Sequence, residues 1–281
     1  MSASVTRALV VGGLDPSCGA GVVLDAFVFA SLGVAPVTVA ATVTAQGSAT
    51  FLTSRPVDSF LFKQQLDAVA EAPFSCVKTG AMGSAQNLRA LIGFLLAQRR
   101  AGFAPPTVVD PVLTSSSGGE LFPTGDIGVY DELCRIASVV TPNAEEAARF
   151  SGVPVNGLAE AGAAARALAC RWECAVVVTG IRSGDGRRGL PEVVDVLCDG
   201  ERVEELGHPF VAGADGVRGT GCAFASAVAA SLAGGDGLAA AVRAAQRAVA
   251  SVVANARRHG AGRPQADLAA LVAAGGMPRE G

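Results

Sequence analysis

The segment Gly219-Thr220-Gly221-Cys222 stands directly before an apolar run, AFASAVAASL, that reads as a helix. Glycines let successive backbone N–H groups converge, and a following helix adds the positive end of its dipole, so the segment can form an anion pocket. The same field would lower the thiol pKa of Cys222 in the first turn. A glycine-rich turn beside a core cysteine is the competing explanation, and these residues alone do not choose between the two. Asp110, Asn143 and Glu146 form a second group. Asp110 ends a buried strand, where an unpaired carboxylate is costly. In Thr141-Pro142-Asn143-Ala144-Glu145-Glu146, the spacing of Asn143 and Glu146 suits an N-cap with its capping-box partner. It suits equally well hard oxygen ligands that hold a water-bearing Mg²⁺ against phosphates.

Residues 12–21, GGLDPSCGAG, lie between a first strand and a first helix. GAGVVL lacks the third glycine of a dinucleotide fingerprint, and neither of the two lysines, Lys63 and Lys78, follows a Walker-type loop. Any phosphate chemistry here is therefore not P-loop chemistry. Asp25 follows Gly21 within an apolar stretch, and Gln46 follows the second strand in TVTAQGS. Singly, each reads as a surface residue. Together, on adjacent strand ends, they suit the polar edge of a small heterocycle.

These residues need elements to position them. Apolar β-branched runs predict strands at 8–12, 37–42, 76–80, 107–110, 138–141 and 175–179. Ala/Leu-rich segments predict helices at 20–32, 59–71, 85–101, 144–151, 158–171, 221–232 and 237–258. Such alternation reads as a parallel sheet covered on both faces, with a hairpin around residues 198–201. Ligands bind beyond the carboxyl ends of the strands in such sheets, where most of the polar motifs fall. No linker or internal repeat divides the chain, so a single domain over residues 1–281 is expected, with the tail from about Gly262 frayed.

Composition excludes several classes. A net charge of −3 with scattered arginines gives no footprint for nucleic acid. No charged residue lies between Asp25 and Arg55, yet Gly33, Pro36 and a polar second half argue for a helix and a buried strand rather than a membrane span. Seven cysteines without a framework, and an N-terminus unlike a signal peptide, fit a reduced cytoplasmic compartment. Cys170-x3-Cys174 has no second pair or nearby histidine, which excludes a zinc site.

Taken in order, GGLDPSCGAGVVLD, TAQ, KTGAMGS, VVDPVLTSSSGG, TPNAEEA, VVVTG and RGTGC resemble the hydroxymethylpyrimidine/phosphomethylpyrimidine kinases, over about residues 8–262. GTGC combined with TPN-x-x-E and DPV is specific, whereas each alone is not. The resemblance implies a ribokinase-like three-layer α/β/α sandwich with a mostly parallel central sheet, usually homodimeric, using ATP and Mg²⁺. It implies that Cys222 stands where ribokinase relatives place a catalytic aspartate, and that Gly219, Thr220 and Gly221 form the anion hole for the transferring phosphoryl group. Asn143 and Glu146 would position metal and phosphate, with Asp110 in the DPV segment and Thr179 approaching the nucleotide phosphates. Asp25, Gln46 and Met82 would line the pyrimidine pocket, with Gly13 contributing backbone.

The chain departs from the family pattern at Cys18, where glycine is usual, at Val23-Leu24, where glutamine-alanine is usual, and at Arg218, where histidine is common. Arg218 would either neutralise triphosphate charge or lie on the surface. These departures bear on pyrimidine specificity more than on kinase chemistry. The expected activity is ATP-dependent phosphorylation of hydroxymethylpyrimidine and its monophosphate in thiamine biosynthesis. A pyridoxal-type kinase is the nearest alternative, and a non-catalytic ligand-binding relative is the other.

Overall fold

The computed structural model describes residues 6–183, 192–200, 202–211 and 216–275. Inside its sheet, between two parallel neighbours, lies β1 (Arg7–Leu14), whose run ALVVGG is buried throughout. Six strands run parallel in the spatial order β2 (Ala35–Gln46), β1, β4 (Cys76–Thr79), β5 (Thr107–Val109), β6 (Val139–Val140) and β7 (Ala175–Ser183). Antiparallel strands extend both edges, with β3 (Phe51–Pro56) beside β2, and β8 (Glu192–Cys198) and β9 (Val203–Pro209) beyond β7.

The apolar runs follow from burial on both faces. Successive side chains of a strand point to opposite sides. Leu9, Val11, Val109, Val140 and Val176 accordingly enter one core, while Ala8, Val10, Val108, Val139 and Val177 enter the other. Helices α2 (Ser59–Val69), α3 (Ala85–Arg100), α4 (Tyr130–Cys134), α5 (Ala144–Ser151) and α6 (Leu158–Trp172) cover the first face. The second is covered by α1 (Gly21–Ser31), α7 (Thr220–Ala233), α8 (Leu238–Ala254) and α9 (Leu268–Gly275). The result is three layers with a mostly parallel sheet. All seven cysteines are free thiols, and among the described residues no helix is long and apolar enough to cross a membrane.

Three elements, β3, the short α4 and α9, escaped the sequence pattern. β3 has mostly exposed side chains, so no burial rhythm marks it; its position depends on pairing with β2. The tail was expected to fray, but residues 263–275 are integral. Arg218 N–H donates to the Pro264 carbonyl at 2.9 Å, Ala266 and Leu271 are buried, and α9 packs on α1. The apolar LAALVAAG run of the tail reads along the sequence as a chain end, and its packing makes it a helix face. Residues 276–281 and the predicted hairpin's Glu201 lie outside the described residues.

Removing residues 263–281 should therefore lower stability by at least about 3 kcal/mol, given roughly 1.5–3 kcal/mol for each fully buried large aliphatic side chain plus the lost backbone bonds. The denaturant midpoint reports this, and an unshifted midpoint would make the segment dispensable.

Candidate active site

All six parallel strands deliver their carboxyl ends to one edge of the sheet, and the loops leaving them surround a cavity of about 730 Å³. Gly13, Asp25, Gln46, Asp110, Asn143, Glu146, Thr179 and Gly219 to Cys222 all line it. Met82 does not. Its apolar side chain is fully buried in the first core instead, so it backs the site without facing it.

The turn before α7 has a specific backbone. Gly219 is the N-cap, with φ of 80°, and no side chain caps the helix. The first intrahelical bond runs from Ala223 N–H to the Gly219 carbonyl at 2.9 Å. The N–H groups of Thr220, Gly221 and Cys222 therefore have no acceptor within the helix. A Cβ on Gly219 would lie 2.3 Å from the Gly19 carbonyl oxygen and 2.3 Å from Leu24 Cδ2. Only glycine permits this contact between the turn and the 12–21 loop. Gly221, by contrast, faces open space.

Beneath the turn lies a buried charge cluster. Lys78 Nζ, without exposed surface, is 2.8 Å from Asp25 Oδ2 and 3.5 Å from Asp110 Oδ2. Ser226 Oγ, one turn beyond Cys222 on α7, donates to Asp25 Oδ1 at 2.8 Å. Asp25, expected to read a heterocycle, thus has both oxygens engaged within the protein. Burial alone would lower the Lys78 ammonium, but Asp25, Cys222 and Asp110 more than reverse this and hold it above its ordinary value. Lys78 and Ser226 were missed in the sequence. The available signal for Lys78 was a charged residue inside an otherwise apolar strand that ends at the ligand edge.

Cys222 corrects another expectation. Part of the residue opens to the cavity, yet its thiol is surrounded by protein, and burial pushes it up to about 12. Lys78 opposes that shift, while Asp25 and Asp110 reinforce it. The field at the helix start is outweighed.

Asn143 and Glu146 form the capping box: Asn143 Oδ1 accepts from Glu146 N–H at 2.9 Å, and Glu146 Oε2 accepts from Asn143 N–H at 3.0 Å. The amide oxygen of Asn143 is therefore committed to the helix. Glu146 is buried, and burial with Asp110 nearby pushes its carboxyl up to about 8. Burial also raises Asp110, whose Oδ2 has no hydrogen-bond partner. Two carboxyl groups thus meet a single ammonium, and the Glu146 carboxyl adds negative charge beside one of them, Asp110. That excess suits a hard cation whose other ligands come from phosphate and water. Among the described residues, no group of three or more His, Cys, Asp or Glu side chains is placed to hold an ion unaided.

Arg218 is neither on the surface nor free. It is 1% exposed and ion-paired with Asp15 at 2.9 Å. Gln46 accepts from Ser115 Oγ at 3.2 Å. Thr179 N–H donates to the Pro142 carbonyl at 2.9 Å, and Thr179 also borders a second cavity of about 210 Å³. That cavity shares Thr220 and Gly221 with the first and contains Asp195, His208 and Gln246.

Comparison with known proteins agrees with this geometry. The phosphomethylpyrimidine kinase family profile matches residues 15–267. A hydroxymethylpyrimidine/phosphomethylpyrimidine kinase of Streptomyces coelicolor is 34% identical over 251 residues, covering 87% of each chain. The chloroplastic thiamine biosynthetic bifunctional enzyme TH1 of Arabidopsis thaliana is 34% identical over 252 residues, which are 87% of this chain and 46% of that enzyme. The chain spans about half the length of such bifunctional relatives. In fold it is similar to pyridoxal kinase from Staphylococcus aureus in complex with pyridoxal, with a TM-score of 0.81, 24% identity and 95% of each chain covered.

The Glu146 carboxyl yields a pH prediction. Its folded value of about 8 exceeds the ordinary 4.5, so over that range the folded chain keeps a proton that the unfolded chain has lost. The stability this proton contributes is complete below the ordinary value and is lost as pH rises to about 8. Between pH 5 and 8, the Tm of the ligand-free wild type should fall relative to Glu146→Gln, which retains the capping acceptor. Parallel Tm curves would mean that the carboxyl is ionised throughout.

Proposed function

The chain belongs to the phosphomethylpyrimidine kinase family, and from this premise we propose that it transfers the γ-phosphoryl group of ATP to the primary alcohol of hydroxymethylpyrimidine, and a further phosphoryl group to the monophosphate, in thiamine biosynthesis. One observation carries the reading: an uncapped helix turn with free N–H groups on the wall of a large cavity, directly above Lys78 and the carboxyl cluster. Phosphoryl transfer demands little covalent help from a protein; positioning and charge stabilisation dominate.

The roles follow from placement. The Thr220, Gly221 and Cys222 N–H groups receive charge developing on the transferring group. The nucleotide runs past Thr179 toward the second cavity, where Asp195 fixes Gly180 by accepting its N–H at 2.9 Å. Gln46 and the Gly13 backbone meet the heterocycle. Glu146 and Asp110 would hold Mg²⁺, which supplies neutralisation of phosphate charge when bound. As the alcohol oxygen bonds to the γ-phosphorus, the bond to the bridging oxygen breaks, ADP departs with the electron pair, and the hydroxyl proton passes to the Cys222 thiolate. The exposed apolar side chains Leu52, Phe60 and Leu61, on edge strand β3 and the start of α2, support a homodimer.

ATP consumption across a panel of hydroxymethylpyrimidine, its monophosphate and pyridoxal tests the substrate. Turnover confined to pyridoxal would transfer the reading to the other vitamin kinase, and no turnover would leave a binding protein. Activity should vanish with a chelator and return with Mg²⁺.

The proton acceptor has its own signature. With the free thiol near 12, a Cys222 thiolate requires kcat/KM to rise about tenfold per pH unit from neutrality upward, since kcat/KM follows the free enzyme's ionisations. Cys222→Ala should lose about 10²–10⁴-fold in kcat, with nucleotide binding retained. A wild-type profile flat between pH 7 and 9 would remove the thiolate from the reaction.

A further inference from the structure

Arg218 immediately precedes the phosphoryl-binding turn, and its guanidinium is almost fully occupied. Nη2 donates to Asp15 Oδ2 at 2.9 Å. Nη1 donates to Ser17 Oγ and to the Gly47 carbonyl, each at 2.9 Å, and Nε donates to Ser116 Oγ at 3.5 Å. These partners lie on the loops leaving β1, β2 and β5. Asp15 in turn shapes its own loop, because its Oδ1 accepts from Ser17 N–H at 2.9 Å and from Ser17 Oγ at 2.7 Å. A planar fork of five donors can serve several acceptors at once; a lysine ammonium cannot reproduce that geometry.

The surrounding backbone leaves little slack. Gly219 meets Gly19 and Leu24 so closely that a Cβ has no room. The C-terminal strap closes the arrangement from behind. Arg218 N–H donates to the Pro264 carbonyl, Gln265 Nε2 donates to the Ser17 carbonyl at 2.9 Å, and Arg263 N–H donates to the Ser48 carbonyl at 2.9 Å. The Arg218 guanidinium therefore joins the 12–21 loop to the residue that opens the 219–222 turn, alongside the direct Gly219–Gly19 contact.

We propose that Arg218 is a positioning residue that locks the substrate loop to the phosphoryl turn, so that nucleotide binding at the turn orders the loop on the alcohol side. It is not a phosphate ligand, because its charge is met by Asp15 and four of its five N–H donors are engaged within the protein. Ordering shared between two sites is reciprocal: whichever ligand arrives first reduces the ordering left for the second. The inference rests on the nucleotide-binding half of the function proposed above and not on the identity of the alcohol.

Hydrogen exchange with the ATP analogue AMP-PCP as sole ligand tests it. In the wild type, the analogue should slow exchange at the 219–222 amides and, by at least about fivefold, the low end of ordinary coupling, at the 12–21 amides. The double variant Asp15→Asn/Arg218→Met removes both buried charges together, which avoids stranding one of them. It should bind the analogue and protect 219–222 while losing protection at 12–21. Arg218→Lys keeps the charge but not the fork, and should give the same loss. The proposal is overturned if the wild-type loop gains no protection, if either variant keeps it, or if a folded variant loses analogue binding. A pyrimidine that is never phosphorylated would sink the substrate assignment and leave this test standing.

Discussion

An ammonium group without exposed surface persists only where carboxylates meet it, and Lys78 satisfies that condition by drawing together three separate parts of the chain. Asp25 comes from α1 and Asp110 from the end of β5, while Ser226 of α7 donates to the other oxygen of Asp25. Breaking a buried pair by removing one partner typically costs about 3–5 kcal/mol, because the remaining charge is stranded. The pair therefore fixes where α1 and α7 sit on the second face of the sheet. It also fixes the height of the Gly219–Cys222 turn above the strand ends. The catalytic geometry is, in this sense, built on a charge interaction that no solvent reaches.

The cluster has a second consequence. Burial makes the free site keep protons, and the neighbouring carboxyl groups add to the effect: Glu146 is pushed up to about 8 and the Cys222 thiol to about 12. On the function proposed above, a cation brought with the nucleotide would displace the Glu146 proton, so that metal binding and protonation would be linked. The capping box at Asn143–Glu146 is compatible with this, since a carboxylate accepting one backbone N–H retains further lone pairs.

Arg218 and Lys78 divide the labour of holding charge. Lys78 sits among the strand ends that line the cavity, where its ammonium is shared between Asp25 and Asp110. Arg218 sits at the junction of the loops, where a forked donor is needed and a point charge would not suffice. Two of the bridging partners of Arg218, Asp15 and Ser17 beside the departure at Cys18, belong to the 12–21 loop. A histidine at position 218 has fewer donors and could not span the same set.

Much of the layer structure was legible along the chain, because strands buried on both faces must be apolar throughout and the intervening helices carry Ala/Leu-rich runs. GTGC, TPN-x-x-E and the strand-end loops were recognisable because the necessary backbone geometry restricts residue choice: Gly219 has no room for a Cβ, and Asn143 caps α5 through a local, three-residue relation. The cap is a near-neighbour relation, and the glycine at 219 marks its positive φ in the sequence although the residues that exclude a Cβ, Gly19 and Leu24, lie far away along the chain. The pairing of Lys78 with Asp25, of Arg218 with Asp15, and of the tail with α1 joins residues that lie far apart along the chain, and a single sequence carries no sign of who meets whom. Met82 looked like a pocket residue and proved a core residue for the same reason. Nor could the sign of the Cys222 shift be read from its turn, because the helix field is local while the burial and the two carboxylates that outweigh it are supplied only when the sheet closes around them. Sequence determined the layers and the turns; the packed structure alone decided which charges are neutralised, and therefore which groups are free to act.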